Sequence, residues 1–389
     1  MREWPLWRVL PMTGLAVLFA TFDGSVLTLA LPAIAADFGA SVGSLANLGA
    51  LLALGSLGAL PLAALADHSG RRRLIAVGAL GFGLANLASA AAPSLAWLTA
   101  ARLAAVCFES LVLAVSTALV VEETPAGQRG QAVALITILA GGGTFLTVVL
   151  YPLVAPHWRL LYLAGGAAVP VAGLVWRFLP EGRRWSEARV GRWSPQVLAR
   201  APWRRRLAIL GGSTALGAVL FQPANFFTAF YGSTHLGLRP VAISAVVFVS
   251  GAISIPAFLV GGRLSDRLGR RRPAVALTAL TALGVDLAFA GSLLFYWAGN
   301  GLWSVLASAA VPALGAWLGE LFPTRARATS EAVIAVAGAG GGAAGLVLYG
   351  KLAPSLGLGA SVIVLSAAAL AGAGLLLLLP ETAGEPLVD

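Results

Sequence analysis

Residues 261–272 read GGRLSDRLGRRR, and residues 63–73 read AALADHSGRRR. Each stretch lies between long apolar runs. Each carries an Asp, a Gly three residues on and an Arg cluster directly after: Asp67, Gly70 and Arg71 in one, Asp266, Gly269 and Arg270 in the other. Working outward, further pairs recur at almost the same spacing. Glu122, Pro125 and Arg129 return as Glu320, Pro323 and Arg327, each 198 residues on, and Leu179-Pro180-Glu181 returns as Leu379-Pro380-Glu381 at an offset of 200. Several matches at nearly one offset predict that the chain is a duplicated half.

Composition narrows the class. With 58% hydrophobic residues, 11% charged and 47 glycines among 389, the chain does not read as an ordinary soluble domain and belongs in a bilayer. Twelve apolar runs, near 9–35, 44–65, 74–92, 95–121, 129–153, 158–179, 206–231, 241–261, 273–291, 294–319, 328–350 and 358–379, each approach the roughly 20 residues that a spanning helix needs. The first run is too long for a signal-peptide core and lacks a small-residue cleavage site, so it is expected to stay as a helix. The net charge of +10 could suggest a nucleic-acid partner, but its distribution argues otherwise. With the N-terminus in the cytoplasm, every one of the 26 Lys and Arg falls on the cytoplasmic side except Arg102, Arg159, Arg239 and Lys351. The positive-inside rule then predicts both termini cytoplasmic and makes the basic excess a topology signal and a lipid-surface contact. The lone Cys107 and the scattered His68, His157 and His235 provide no disulfide framework and no metal cluster, so neither cofactor nor metal is expected.

The repeated loop resembles the cytoplasmic signature of the major facilitator superfamily: a Gly run, an Asp four residues later, a Gly after three more, then Arg-Arg. The second copy fits with Gly262, Asp266, Gly269, Arg270 and Arg271, whereas the first has Ala63 in place of the Gly and His68-Ser69 between Asp67 and Gly70. Residues 157–159 (HWR), 179–185 (LPEGRRW), 122–129 (EETPAGQR), 319–327 (GELFPTRAR) and 379–384 (LPETAG) resemble the sugar porters and their metabolite-transporting relatives, and the Gly-Pro signature of drug antiporters is missing from the fifth span. The resemblance implies an all-α membrane protein of twelve transmembrane helices, in two six-helix halves related by a pseudo-two-fold axis. The halves would be residues 1–181 and 206–389, joined by a cytoplasmic linker at 182–205 whose Arg and Trp suit an amphipathic segment on the leaflet.

Charges inside spans mark function by default, because each costs at least about 2.5 kcal/mol without a partner or a wet cavity. Asp23 interrupts the first span, and the fourth holds Arg102 and Glu109, seven residues apart and so on one face. At 1.5 Å per residue, Asp23 lies about 21 Å in from the cytoplasmic side, roughly 9 Å short of the outer face of a 30 Å core, and Arg102 about 10 Å below that same face. The two share a level. By resemblance, an acid in the first span with an Arg in the fourth is the proton-coupling pair of several proton-driven sugar porters. A permanent ion pair that only holds two helices is the rival reading. Glu109 is expected to be a second proton station or a partner of Arg102.

The seventh span carries FQPANFFTAFYGS, in which Pro223 is expected to break the helix among Gln222, Asn225, Phe226 and Tyr231. Broken, polar and aromatic helices are where transporters bind substrate, with core packing at a kink as the alternative. Asn300 occupies the repeat position of Arg102 and joins the candidate substrate residues. Glycines 141–143 in the fifth span and 338 with 340–342 in the eleventh predict close helix contacts at duplicated positions. Asp286 in the ninth span reads as structural. By resemblance, Asp67, Gly70, Arg71, Gly262, Asp266, Gly269, Arg270, Glu122, Arg129, Glu320 and Arg327 form the gating loops, with Asp67 near the start of the eleventh helix and the arginines paired with acids across the halves.

No Ser-His-Asp set, metal cluster or phosphate-cradling loop suggests an enzyme. The expectation is a secondary transporter of a bacterial type of inner membrane, a monomer that works by alternating access and couples protons to symport of a small polar or anionic metabolite, such as a sugar or organic acid. Proton-coupled efflux of drugs or metabolites, and uncoupled uniport, are the alternatives.

Overall fold

The computed structural model describes residues 9–58, 70–124, 129–180, 200, 202–323 and 326–383. Twelve helical segments run through them in order: α1 (Leu10–Phe38), α2 (Val42–Gly55, closed by a 3₁₀ turn at Ser56–Gly58), α3 (Arg71–Ala90), α4 (Leu95–Glu123), α5 (Arg129–Val154), α6 in two pieces (Arg159–Gly165 and Ala168–Phe178), α7 (Trp203–Thr234), α8 (Pro240–Leu268), α9 (Arg271–Ala288), α10 (Leu293–Leu321), α11 (Arg327–Leu356) and α12 (Leu358–Leu375, with a 3₁₀ turn at Leu376–Leu378). Among the described residues, ten helices are long and apolar enough to cross a membrane. The other two are α9 and the shorter apolar segment Val42–Gly58, whose expected continuation to residue 65 lies outside the described residues. Leu153, Leu259 and Leu294 are each more than two-thirds exposed, as side chains facing lipid can be.

The duplication is visible atom by atom. Ser94 and Ser292, 198 residues apart, cap α4 and α10 by accepting the backbone N–H of Trp97 and Phe295 at 3.2 Å each. These caps satisfy a donor that a helix start leaves orphaned. Left-handed glycines repeat as well: Gly39 at φ 58° and Gly237 at 64°, Gly70 at 84° and Gly269 at 85°.

The chain divides into two compact units, residues 1–40 with 54–191, and residues 41–53 with 192–389. In the first, α1 packs on α5 and α3 on α4, around Ile75, Phe82, Val112, Leu119 and Val175. In the second, α7 packs on α11 and α10 on α8 and α9, with Trp317, Leu321 and Phe322 buried. Most of α2, residues 42–53, groups with this second unit. Gly43, Ala46 and Gly49 let it approach Gly350, Phe226 and Leu346 closely.

Pro223 does not break α7, which is continuous across it. Proline deprives the carbonyl four residues back of its helical donor, and here that carbonyl belongs to Val219. It lies so close to Gly345 of α11 that a Cβ there would stand 2.2 Å from the oxygen. The bare glycine backbone covers the freed acceptor, in the manner of Cα–H···O contacts between helices.

Candidate functional site

In the first unit, Arg102 gathers a buried polar cluster from four helices. Its Nη1 donates to Asp23 Oδ1 at 2.6 Å, its Nε to Ser89 Oγ at 3.0 Å and its Nη2 to Asn86 Oδ1 at 3.1 Å. The guanidinium carbon stands 4.5 Å from the ring centroid of Tyr162 on α6. Asp23 and Arg102 are 1% and 2% exposed. Asn86 is held against Gly165, where a Cβ would approach it to 2.9 Å.

Glu109, two turns along α4 from Arg102, is buried too, and its carboxyl faces that of Asp23 within hydrogen-bonding range. Asp23 Oδ2 and Glu109 Oε1 nevertheless lack a hydrogen-bond partner among the described residues. Two ionised carboxylates are both acceptors, so only a proton on one of them can close that bond. The sequence brings Asp23, Arg102 and Glu109 together but does not single out Asn86, Ser89 or Tyr162.

At the repeated loops, Arg71 donates to Glu122 at 3.0 Å in the first unit. In the second, Arg270 donates to Glu320 at 3.0 Å and to Asp266 at 2.6 Å. Each of these pairs lies within its own half. The hydrogen bond that Arg270 donates to Asp266 raises the Arg270 pKa against the opposing effect of burial, with Glu320 adding to the rise. Glu381 accepts the backbone N–H groups of Arg270 and Arg271 at 2.7 and 3.0 Å. Burial alone would push its carboxyl up, yet these two donors with those of Thr382 and Ala383 bring it below the usual value. Gly269 beside it has φ 85°, a backbone conformation that favours glycine, and a Cβ there would also crowd the Glu381 carboxylate at 2.6 Å. Gly262 lies toward Pro312 of α10, and Arg327 donates to the Phe322 carbonyl. Asp67, the Arg129 side chain and linker residues 182–199 and 201 lie outside the described residues.

The second unit holds a cavity of about 480 Å³ between α7, α9 and α10. Gln222 and Asn225 line it beside Phe221 and Trp303, and Ser213, Thr214, Thr278 and Thr281 add hydroxyls. Thr278 Oγ1 is buried without a partner among the described residues. Phe226, Tyr231 and Asn300 do not line this cavity. Phe226 meets Phe227 edge-to-face with ring centroids 5.1 Å apart, Tyr231 donates to the Phe289 carbonyl at 3.0 Å, and Asn300 accepts from Thr228 at 3.2 Å while donating to the Tyr296 carbonyl. Asp286 Oδ1 is buried without a hydrogen-bond partner among the described residues, and the nearby Ser366 hydroxyl of α12 donates to the Ile363 carbonyl at 2.7 Å.

The sequence profile described as "Major Facilitator Superfamily" matches residues 13–285 and 233–388. "Probable 4-methylmuconolactone transporter" of Cupriavidus pinatubonensis (strain JMP 134 / LMG 1197) is 26% identical over 386 residues, covering 94% of this chain and 88% of that protein. "Puromycin resistance protein pur8" of Streptomyces alboniger is 33% identical over 193 residues, 47% of this chain, and the match spans only 37% of that relative's length. The crystal structure of a D-xylose-proton symporter superposes with a TM-score of 0.79 at 15% identity, over 98% of this chain and 99% of that one. At that identity the likeness speaks for the fold alone.

Proposed function

The chain belongs to the major facilitator superfamily as a multi-pass membrane transporter of small molecules, not an enzyme, and we propose that it couples protons to symport of a small polar or anionic organic metabolite. The observation that carries this reading is the buried cluster of Asp23, Glu109 and Arg102. Two carboxyl groups against one guanidinium are neutral with one proton aboard and carry a net negative charge without it. Such a charge is costly inside a bilayer, so the cluster holds its proton until hydration or a shifted Arg102 offers another way to balance it. Proton occupancy thereby follows conformation. Asn86, Ser89 and Tyr162 keep the guanidinium aimed at Asp23.

The solute is proposed to bind in the second unit at Gln222 and Asn225, where hydroxyls flank Phe221 and Trp303. A sugar or organic acid fits this mixture of amide, hydroxyl and ring contacts, and the name of the Cupriavidus relative supports an organic-acid type of solute. The gating role remains assigned to the repeated loops, the halves to residues 1–181 and 206–389 with 182–205 between them, and the setting to a bacterial inner membrane with both termini cytoplasmic. The resistance protein among the relatives favours efflux as the second reading. Against it, Phe226, Phe227, Phe230 and Tyr349 pack on one another in the core rather than offering a greasy lining.

The test begins with a thermal-shift screen of sugars, carboxylates, amino acids and cations to identify a solute. Proteoliposomes then compare pH-gradient-driven uptake with solute counterflow for wild type and Asp23→Asn. Asp23→Asn is expected to abolish accumulation while counterflow persists. Accumulation by the variant with the pH gradient as sole driving force would remove Asp23 from the coupling role, and transport of the solute against the direction of proton entry would establish efflux instead.

A further inference from the structure

A second cavity, of about 390 Å³, lies at the end of the second unit where α7 and α9 begin and α12 finishes. Arg205, Arg206 and Arg271 line it opposite Leu377 and Leu378. Two of the three guanidiniums are positioned by backbone: Arg206 donates to the Leu321 carbonyl at 2.9 Å and Arg271 to the Leu379 carbonyl at 3.4 Å. Those bonds use one donor each of the five that a guanidinium carries. No carboxylate among the described residues forms an ion pair with any of the three. The nearby acids are otherwise engaged, Glu320 with Arg270 and Thr382, and Glu381 with backbone N–H groups.

The opposite wall is apolar and bare, with Leu377 and Leu378 57% and 55% exposed at the end of a membrane-spanning helix. Trp203, a residue type favoured at the bilayer interface, sits under Arg206 at 4.9 Å. Three cations beside exposed leucines at the end of spanning helices complement one kind of molecule, with a phosphate at one end and acyl chains at the other. A free anion would satisfy the arginines and leave the leucines idle, and a zwitterionic lipid would bring an ammonium among cations. We infer that this pocket binds the phosphodiester headgroup of an anionic phospholipid, with the acyl chains against Leu377 and Leu378. Basic pockets between helices at this depth are suited to such headgroups.

The experiment is native mass spectrometry of the full chain released from detergent, with phosphatidylglycerol, phosphatidylcholine or soluble glycerol phosphate added. Retained phosphatidylglycerol is expected on wild type, with little phosphatidylcholine or glycerol phosphate. Arg205→Gln is expected to weaken phosphatidylglycerol binding about fivefold, the equivalent of about 1 kcal/mol for one cation near a lipid surface. Arg205→Gln with Arg271→Gln should weaken it further. The charge-matched control, Arg263→Gln with Arg267→Gln on α8, should bind as wild type does. Arg205 makes no hydrogen bond among the described residues, so its single variant is not expected to affect folding. Equal loss in the control, equal retention of phosphatidylcholine, or glycerol phosphate binding as strongly as the lipid would each overturn the inference.

Discussion

Gly143 and Gly341 do the same job 198 residues apart: each brings bare backbone against a carbonyl of the neighbouring helix. A Cβ on Gly143 would stand 2.0 Å from the Leu18 oxygen of α1, and one on Gly341 2.1 Å from the Ala215 oxygen of α7. Neither obstacle is a flexible side chain. Gly143→Ala and Gly341→Ala are therefore expected to lower the Tm of the purified protein, with an overpacking cost of about 1–3 kcal/mol each. Gly141 and Gly340, where an added Cβ would meet nothing within 4 Å, supply the controls. Their alanine variants should melt at or slightly above wild type, since alanine favours helix.

Arg102→Lys tests whether the forked geometry matters beyond the charge. An ammonium keeps the positive charge but cannot span Asp23, Asn86 and Ser89 in the same plane. Proton-driven uptake should fall by about tenfold or more, on the scale of one lost hydrogen bond, while solute affinity changes little. Uptake equal to wild type would make the hydrogen bonds to Asn86 and Ser89 incidental.

Gln222→Ala and Asn225→Ala should each weaken solute binding by about 1–3 kcal/mol if a buried solute group loses its partner, read by isothermal titration. Asn300→Ala is expected to behave differently. Its amide joins Thr228 to the Tyr296 carbonyl, so the loss should appear in Tm with affinity retained. The opposite pattern would shift the solute from the cavity beside α7 to the buried face of α10.

Glu381 gives stability a defined acid limb. Its pKa in the folded chain lies below the ordinary 4.5, so the stabilisation is present above that value and is lost as pH falls through the folded pKa. Thermal unfolding scans should show Glu381→Gln less stable than wild type at neutral pH, with the gap closing below about pH 4.5. A gap that persists unchanged into acid would mean that the Glu381 charge contributes nothing.

Much of this is legible in residue order. The recurrence of Glu122 as Glu320 and of Asp67 as Asp266 reveals the duplication, and residue rise alone brings Asp23 and Arg102 to one depth. The same reckoning, carried to Asn86, 15 residues beyond Arg71, reaches about 22 Å and so the level of Asp23. Asn86 and Ser89 do not stand out in the sequence because uncharged polar residues are ordinary in a span, and only the guanidinium between them gives them meaning. Pro223 misleads for a related reason: what becomes of a proline's freed carbonyl depends on the helix opposite, and Gly345 is 122 residues away in the chain.

A cluster with one vacant proton position also sets a ceiling on performance. One proton carried with each neutral solute molecule balances at a tenfold concentration ratio per pH unit, about 1.36 kcal/mol. A membrane potential of 100 mV contributes about 2.3 kcal/mol more, roughly a further fiftyfold. Accumulation beyond that ratio would demand a second proton per cycle, and the half-buried Asp286 of α9 would be the carboxyl to examine for it.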